Sequence, residues 1–487
     1  MNNLSRDQKQ RMNNPSRDQK QKRMENSPGR NQGDHGSARS EEMLRSGAYL
    51  QLACHLCIPT ILIMLVNVLY HMADVFFIGQ TKSPHMVAAV TLAGPMFSIL
   101  SGLGVLLGNG GCTAMSLALG RGEYEKVKQT SAFAIYASLF LGLLFSGMVL
   151  PLLHPICQLL GTDEETLSYT ADYLRIIAAG APVIMLTNVI PSLIRADGST
   201  TSSMIGNMIG TALNIVLDPL LILHLQMGVS GAALATLIGN IGGLIYYLYF
   251  LFTRGKLYSL SPRDISLRGG LPFTVIRLGL PMSCATILMS ISSAISNHLM
   301  MSYGSIAIAA QSVAGRIGMI ISMTVMGICM GMQPAISYNY GSKNYRRLIE
   351  ILWKTTALSV VAGSLLSLFC LLARDSLLRS FLDRSEVLSI GRICMLASIL
   401  VGPFLGFYQM CTTYLQATGK SNEALLVSLL EKGLFYIPVL FLMRWLYQMY
   451  GIVFASTVTT VLSAMVALYF CYRDFRRELG KKKEANA

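Results

Sequence analysis

Twelve long apolar stretches decide most of what this chain can become. They fall at roughly 49–79, 86–118, 127–150, 169–191, 199–224, 229–252, 272–301, 306–336, 347–373, 386–415, 422–443 and 449–472. About 20 apolar residues in helical form cross a bilayer core. Helices satisfy their own backbone groups in hydrocarbon, and no stretch alternates as a barrel strand would. The expected fold class is therefore an all-α polytopic membrane protein with twelve transmembrane helices. Composition agrees, because only 13% of the residues are charged, against about 25% in soluble domains.

The formal net charge of +14 would point to nucleic acid in a soluble chain. Here the basic residues gather in loops and tails, as membrane topology demands, so no nucleic-acid partner is expected. The runs "TRGKLYSLSPRDISLRGG", "RDFRRELGKKK", "GRGEYEKVKQ" and "GSKNYRRL" all fall on one side if twelve spans follow a cytoplasmic N-terminus. The loop "GTDEET" falls on the other side and has no basic residue. The loop "ARDSLLRSFLDRSE" disagrees, with three arginines against three acids. Both termini are expected in the cytoplasm.

Residues 1–45 are polar and begin with a tandem duplication, "NNLSRDQKQRM" then "NNPSRDQKQKRM". With no apolar core they read as a disordered tail, neither signal peptide nor folded domain. Residues 474–487 form a basic tail. The "CHLC" at 54–57 has metal or redox spacing but no second pair, so the ten cysteines read as small buried hydrophobes.

An offset of 221 residues aligns the two halves. "AAVTLAG" at 88–94 matches "AAQSVAG" at 309–315, and "IRADGST" at 194–200 matches "LQATGKS" at 415–421. "ALGRGEYEKV" matches "NYGSKNYRRL", keeping Gly120 with Gly341 and Tyr124 with Tyr345. The repeat holds six spans, and an even number gives both copies the same orientation. The expected domains are an N-lobe at 46–252, a linker at 253–271 and a C-lobe at 272–473, pseudo-symmetric around a cleft. Such an architecture suits alternating access. The Gly-rich "LSGLGVLLGNGG" at 100–111 follows no strand, so it reads as close helix packing rather than a phosphate loop.

Ionisable residues inside spans are functional candidates by default. The first half supplies Asp74 in "YHMADVFFIG" and Asp218 in "LNIVLDPLLI". Asn214 stands four residues before Asp218, on the same helix face. Pro219 has no N–H, so the carbonyl of Ile215 loses its usual donor. Oxygen groups of this kind suit a hard cation or a proton. Asp74, Asn214, Asp218 and Thr236 fall at similar depth, in the outer half of the first lobe. We therefore read these four as a cation-coupling site, with Na+ as one candidate ion. Two close carboxylates would also raise at least one pKa, which suits a proton-binding step.

The second half has diverged at these positions: Val439 stands opposite Asp218, Phe435 opposite Asn214 and Ile295 opposite Asp74. It offers Arg316, Glu431 and Lys432 within spans. Glu431 is a secondary polar candidate for substrate, and helical geometry points its neighbour Lys432 in a different direction. Arg316 is expected to bond carbonyls or a polar neighbour such as Gln311. His71, three residues before Asp74, is a further secondary polar candidate, to modulate Asp74 or to pack beside it.

Over about 50–473 the sequence resembles the multidrug and toxic compound extrusion (MATE) family. The first-span pattern "IP…ADVFFIG", with "RADGST", "LNIVLDPLLI" and "GVSGAALAT", carries the resemblance. It implies twelve helices in two V-shaped six-helix lobes exporting drugs against proton or sodium entry. By motif match, Asp74, Asn214, Asp218 and Thr236 correspond to the family's first-lobe cation site. Some members place coupling acids in the seventh and tenth helices. This chain has no acid in the seventh span and only Glu386 at the start of the tenth, so such a site is not expected. The implied activity is cation-coupled (H+ or Na+) antiport of bulky amphipathic, often cationic drugs, with no cofactor beyond the coupling ion. The partners would be small-molecule drugs or toxic metabolites and membrane lipids, and the chain would work as a monomer.

The alternative, a flippase for a lipid-linked saccharide, needs a cationic cleft for pyrophosphate, and the spans hold few Arg or Lys. An enzyme needs a metal or nucleophile constellation, and the seven histidines show no HxxxH-type cluster.

Overall fold

The computed structural model describes residues 42–81, 83–254, 257–266, 268–379 and 385–486. The duplicated stretch expected to be disordered lies outside the described residues. The described chain is helical almost throughout. The first half consists of α1 (Tyr49–Gln80), α2 (Pro84–Arg121), α3 (Tyr124–Val149), α4 (Glu164–Ala179), α5 (Ala181–Arg195), α6 (Thr200–Asp218) and α7 (Gly228–Arg254). The second consists of α8 (Leu271–Met301), α9 (Ser305–Gly341), α10 (Tyr345–Leu372), α11 (Ser385–Leu400), α12 (Gly402–Ala417), α13 (Ser421–Leu429) and α14 (Tyr436–Asn486). By length and apolar composition, ten helices can cross a membrane, or eleven if α4 and α5 count as one bent span.

The fourth apolar stretch differs from expectation. It is two helices, α4 and α5, bent by 54° at Gly180, with Pro182 in the first turn of α5. A side chain at Gly180 would run into Leu237 of α7, so the bend keeps α7 close. α14 continues as helix through the basic tail to Asn486.

The repeat survives as structure. The starts of α2 and α9, α3 and α10, α5 and α12, and α6 and α13 are each separated by 221 residues. Ser116 Oγ donates to the Ala196 carbonyl at 2.8 Å, and Ser337 Oγ donates to the Ala417 carbonyl at 2.9 Å. The two bonds are one repeat apart at both ends. The turn after α2 places Gly122 at φ 74°, where glycine costs nothing, while its repeat mate Lys343 adopts φ 59°.

The lobes meet along α2 with α8 and α1 with α9. The Gly-rich stretch of α2 makes this approach possible. A methyl at Gly110 would overlap the Val275 carbonyl of α8, and one at Gly331 would lie 2.7 Å from the Leu56 carbonyl of α1. Close backbone approach through small residues is how membrane helices pack when lipid supplies no hydrophobic drive. Gln333 donates to Thr113 at 2.9 Å across the junction. At the same end Gly120 abuts Tyr338 and Gly341 abuts Leu117, reciprocally. Toward the other end the contact stops. Side chains added at Gly94 or Gly315, again a repeat pair, would meet no described atom within 4 Å. The lobes are therefore closed at the end bearing the termini and splayed at the other.

Candidate functional site

Inside the N-lobe, the helix faces chosen by polar spacing enclose a cavity of about 210 Å³. On α6, Asn207, Thr211, Asn214 and Asp218 follow a 4-3-4 spacing, which keeps them on one face. The first three line the cavity, with Asn67 and Tyr70 of α1, Thr187 and Asn188 of α5, and Thr236 and Asn240 of α7. Its wall is built mainly of amides and hydroxyls, and among the described residues no Arg, Lys, Asp or Glu lines it.

Three of the four expected cation-site residues come together at one end of this cavity. Asp218 is fully buried, and Asn214 and Thr236 are each only 2% exposed. The Asn214 amide, oriented so that both ends are satisfied, donates to Asp218 Oδ2 at 3.3 Å and accepts the Thr236 backbone N–H at 3.1 Å. The Tyr70 and Thr236 hydroxyls lie 3.2 Å apart. Asn240 Nδ2 donates to the Thr236 carbonyl at 2.7 Å, and Thr187 donates to Asn240 Oδ1 at 2.7 Å. The carboxylate thus belongs to a hydrogen-bonded network through α6, α7, α5 and α1. Asp218 closes α6, and Pro219 opens a π-helical turn through His224. Such turns break the regular ladder and recur at functional sites. Asp74 stands one helical turn beyond Tyr70 on α1. Its side chain, and that of His71, lie outside the described residues, as does that of Glu386.

The second lobe corrects two expectations. Lys432 does not point away from Glu431, because its Nζ lies 2.7 Å from Glu431 Oε1. The helix is π-wound over Leu430–Leu434, and the long lysine stem folds back along it. Arg316 does not pair with Gln311. Gln311 Nε2 donates to Ser296 at 3.3 Å, its Oε1 has no partner among the described residues, and Arg316 is exposed.

Sequence reasoning weighed charges and passed over neutral amides. Asn67, Asn188, Asn207 and Asn240 were legible as costly groups within apolar spans. Asp197, in the loop between α5 and α6, was read only as part of a motif. It is 4% exposed and accepts the Ser199 N–H at 3.0 Å, and burial pushes its carboxyl up. At the discordant loop, Arg392 of α11 grips Asp375 with two bonds of 2.9 and 2.8 Å, holding that carboxyl below its usual range. Among the described residues no three His, Cys, Asp or Glu side chains gather as a metal site.

Two helical lobes in one register, splayed at one end, with a buried polar network inside one of them, define a polytopic membrane transporter. The MatE family model matches twice, at residues 59–220 and 281–442, and the chain belongs to that family. One matched segment falls in each half of the chain.

The "Multidrug export protein MepA" of Staphylococcus aureus strain MRSA252 is 30% identical over 426 residues, covering 86% of this chain and 92% of that protein. The protein of the same name from Staphylococcus saprophyticus is 30% identical over 424 residues, again 86% and 92%. Among solved structures, an outward-facing multidrug resistance MATE family transporter of the MOP superfamily superposes with a TM-score of 0.83 at 23% identity. That match covers 91% of this chain and 98% of the other. A MATE structure in the bent conformation gives 0.82 at 24% identity, covering 92% and 99%. These two likenesses establish the fold.

Proposed function

We propose that this chain is a twelve-span, cation-coupled antiporter of the bacterial inner membrane that exports amphipathic, often cationic drugs by alternating access. Inward movement of H+ or Na+ drives it. The stretch Ser421–Arg476 has 56 residues, about 84 Å as helix, nearly three times a bilayer core of about 30 Å. It is interrupted at Gln448, where φ is 53°. Counting it as two spans, and α4–α5 as one, gives twelve. An even count returns both termini to one side, and the basic loops make that side the cytoplasm. The splayed end of the lobes then faces outward.

The observation that carries the coupling role is the buried Asp218–Asn214–Thr236 network. A carboxylate fully removed from water is stable only when neutralised or well bonded. A cation arriving from outside, at Asp218 with Asn214, Thr236 and Asp74, neutralises it. Loading favours one packing of α1 and α6, drug leaves, and the lobes close outside and open inside. The cation then leaves and drug binds again, so the two occupancies are exclusive and share a coupling free energy. The exported compounds are inferred from relatives named as multidrug export proteins. A lipid-linked pyrophosphate would need cationic groups, and among the described residues neither Arg nor Lys lines the cavity.

The test is ethidium transport in proteoliposomes under separately imposed H+ and Na+ gradients. One of the two gradients drives wild-type transport. Asp218→Asn abolishes the driven component while inserting normally. Wild-type transport by that variant would remove the coupling role.

A further inference from the structure

The repeat points to a site in the C-lobe whose counterpart in the N-lobe is the open cavity. Thr187, Gly210 and Thr211 line the N-lobe cavity. One repeat later stand Tyr408, Glu431 and Lys432, in helices whose starts keep the same 221-residue register. There the lobe holds an ion pair. Lys432 Nζ lies 2.7 Å from Glu431 Oε1, and the Tyr408 hydroxyl donates to Glu431 Oε2 at 3.2 Å. Glu431 is 5% exposed, whereas the Lys432 side chain is 32% exposed.

The winding of the helix builds this pair. Over Leu430–Leu434 the backbone is π-helical, with Phe435 N–H donating to the Leu430 carbonyl at 2.8 Å. The carbonyl of Lys432 accepts the Ser292 hydroxyl from α8. The peptide is therefore held by a neighbouring helix, while the ammonium is held only by its own flexible stem.

A buried carboxylate requires a cation. Its partner here is neither a fork locked from another helix nor a fully buried charge. It is a point charge on four methylenes that already touches accessible space, so it can leave without first being stripped of water. The Tyr408 hydroxyl remains to hold the carboxylate oriented. What replaces Lys432 must bring positive charge and enough apolar surface to fill the vacated stem volume.

We propose that Glu431 is a binding site for the charged centre of an amphipathic organic cation, and that Lys432 is a tethered competitor which occupies the site until such a cation displaces it. The physiological meaning rests on the efflux reading above, but the binding does not. It requires neither a gradient nor Asp218, so the two ideas fail separately.

The test is equilibrium binding to the full chain in nanodiscs, using ethidium and the uncharged ring compound phenanthridine. Removing a competitor that holds the site most of the time raises apparent affinity by the inverse of the free fraction, here about fivefold. Lys432→Met tightens ethidium binding by that factor, Glu431→Gln weakens it, and the double variant shows no gain. Phenanthridine binding stays unchanged in all three. In the unaltered protein, ethidium must also speed the reaction of Lys432 with an amine-reactive ester, read by peptide mass spectrometry, and this measurement stands even if a variant misfolds. An unchanged Lys432 reaction rate overturns the proposal. So does Lys432→Met binding ethidium no more tightly, or both probes shifting together.

Discussion

The reciprocal glycine contact between the lobes can be turned into a measured shift in conformation. Gly120 and Gly341 are one repeat apart and sit where α2 and α9 cross. A methyl at Gly120 overlaps the carbonyl of Tyr338, and one at Gly341 overlaps the carbonyl of Leu117. Both obstacles are backbone, so no rotamer change relieves them and the lobes must part at that end. Overpacking of this kind costs about 1–3 kcal/mol. The cost falls on the state closed there and not on the state open there. Because 1.4 kcal/mol is tenfold in an equilibrium constant, Gly120→Ala shifts the balance toward the open state by roughly tenfold.

Cys57 reports the change, since it is 3% exposed with Sγ 3.5 Å from the Ile328 carbonyl across the junction. Maleimide labelling with site-resolved mass spectrometry should show Cys57 reacting about tenfold faster in Gly120→Ala. The exposed Cys54 serves as reference, and Cys157, buried away from the junction, should not change. The gate reading fails if Cys57 keeps its wild-type rate. It fails equally if Cys57 and Cys157 accelerate together, which would mean general loosening.

Two further outcomes follow from individual contacts. Thr236→Ala removes the hydroxyl facing Tyr70 at 3.2 Å but keeps the backbone N–H that Asn214 accepts. Driven efflux should fall less than in Asp218→Asn, and complete inactivity of a well-expressed variant would show the hydroxyl to be essential. Asp163 caps α4, and the Thr166 hydroxyl and N–H hold its carboxyl below the usual range. A depressed carboxylate stabilises the fold above its unfolded pKa of about 3.9 and loses that contribution as pH falls through the lower folded value. The thermal unfolding gap between wild type and Asp163→Asn, measured in detergent, should therefore be present at pH 6 and close below about pH 4. A gap independent of pH would refute it.

The spans and the repeat were legible because bilayer thickness and helix rise leave few alternatives for an apolar run. Asn214 and Asp218 were legible because a polar group in hydrocarbon is costly wherever it sits. The cavity was not. It is formed where α1, α5, α6 and α7 approach one another, and a single span carries no record of which face meets which. The α4–α5 bend escaped notice because hydropathy runs through Gly180 without interruption. The Glu431–Lys432 pair was misread for a related reason. Regular helix geometry separates neighbouring residues, and only the local π-winding, set by contact with α8, lets the lysine return to the glutamate.

The two lobes share one backbone plan but treat the same interior position in opposite ways. Thr187, Gly210 and Thr211 line open space in the N-lobe, with Asn214 of the Asp218 network in its wall. Tyr408, Glu431 and Lys432 fill the equivalent space and bring an acid with its own cation. Two open carboxylate sites would each demand neutralisation before the lobes could change packing, because an unpaired buried charge costs several kcal/mol in any state that excludes water. On the proposed reading, in which Asp218 takes the coupling ion, the lobe that carries its own cation leaves one loading event to govern the change of packing. The divergence of Val439, Phe435 and Ile295 from their acidic and amide counterparts is thus what a pump needs if one ion entry is to govern one change of shape.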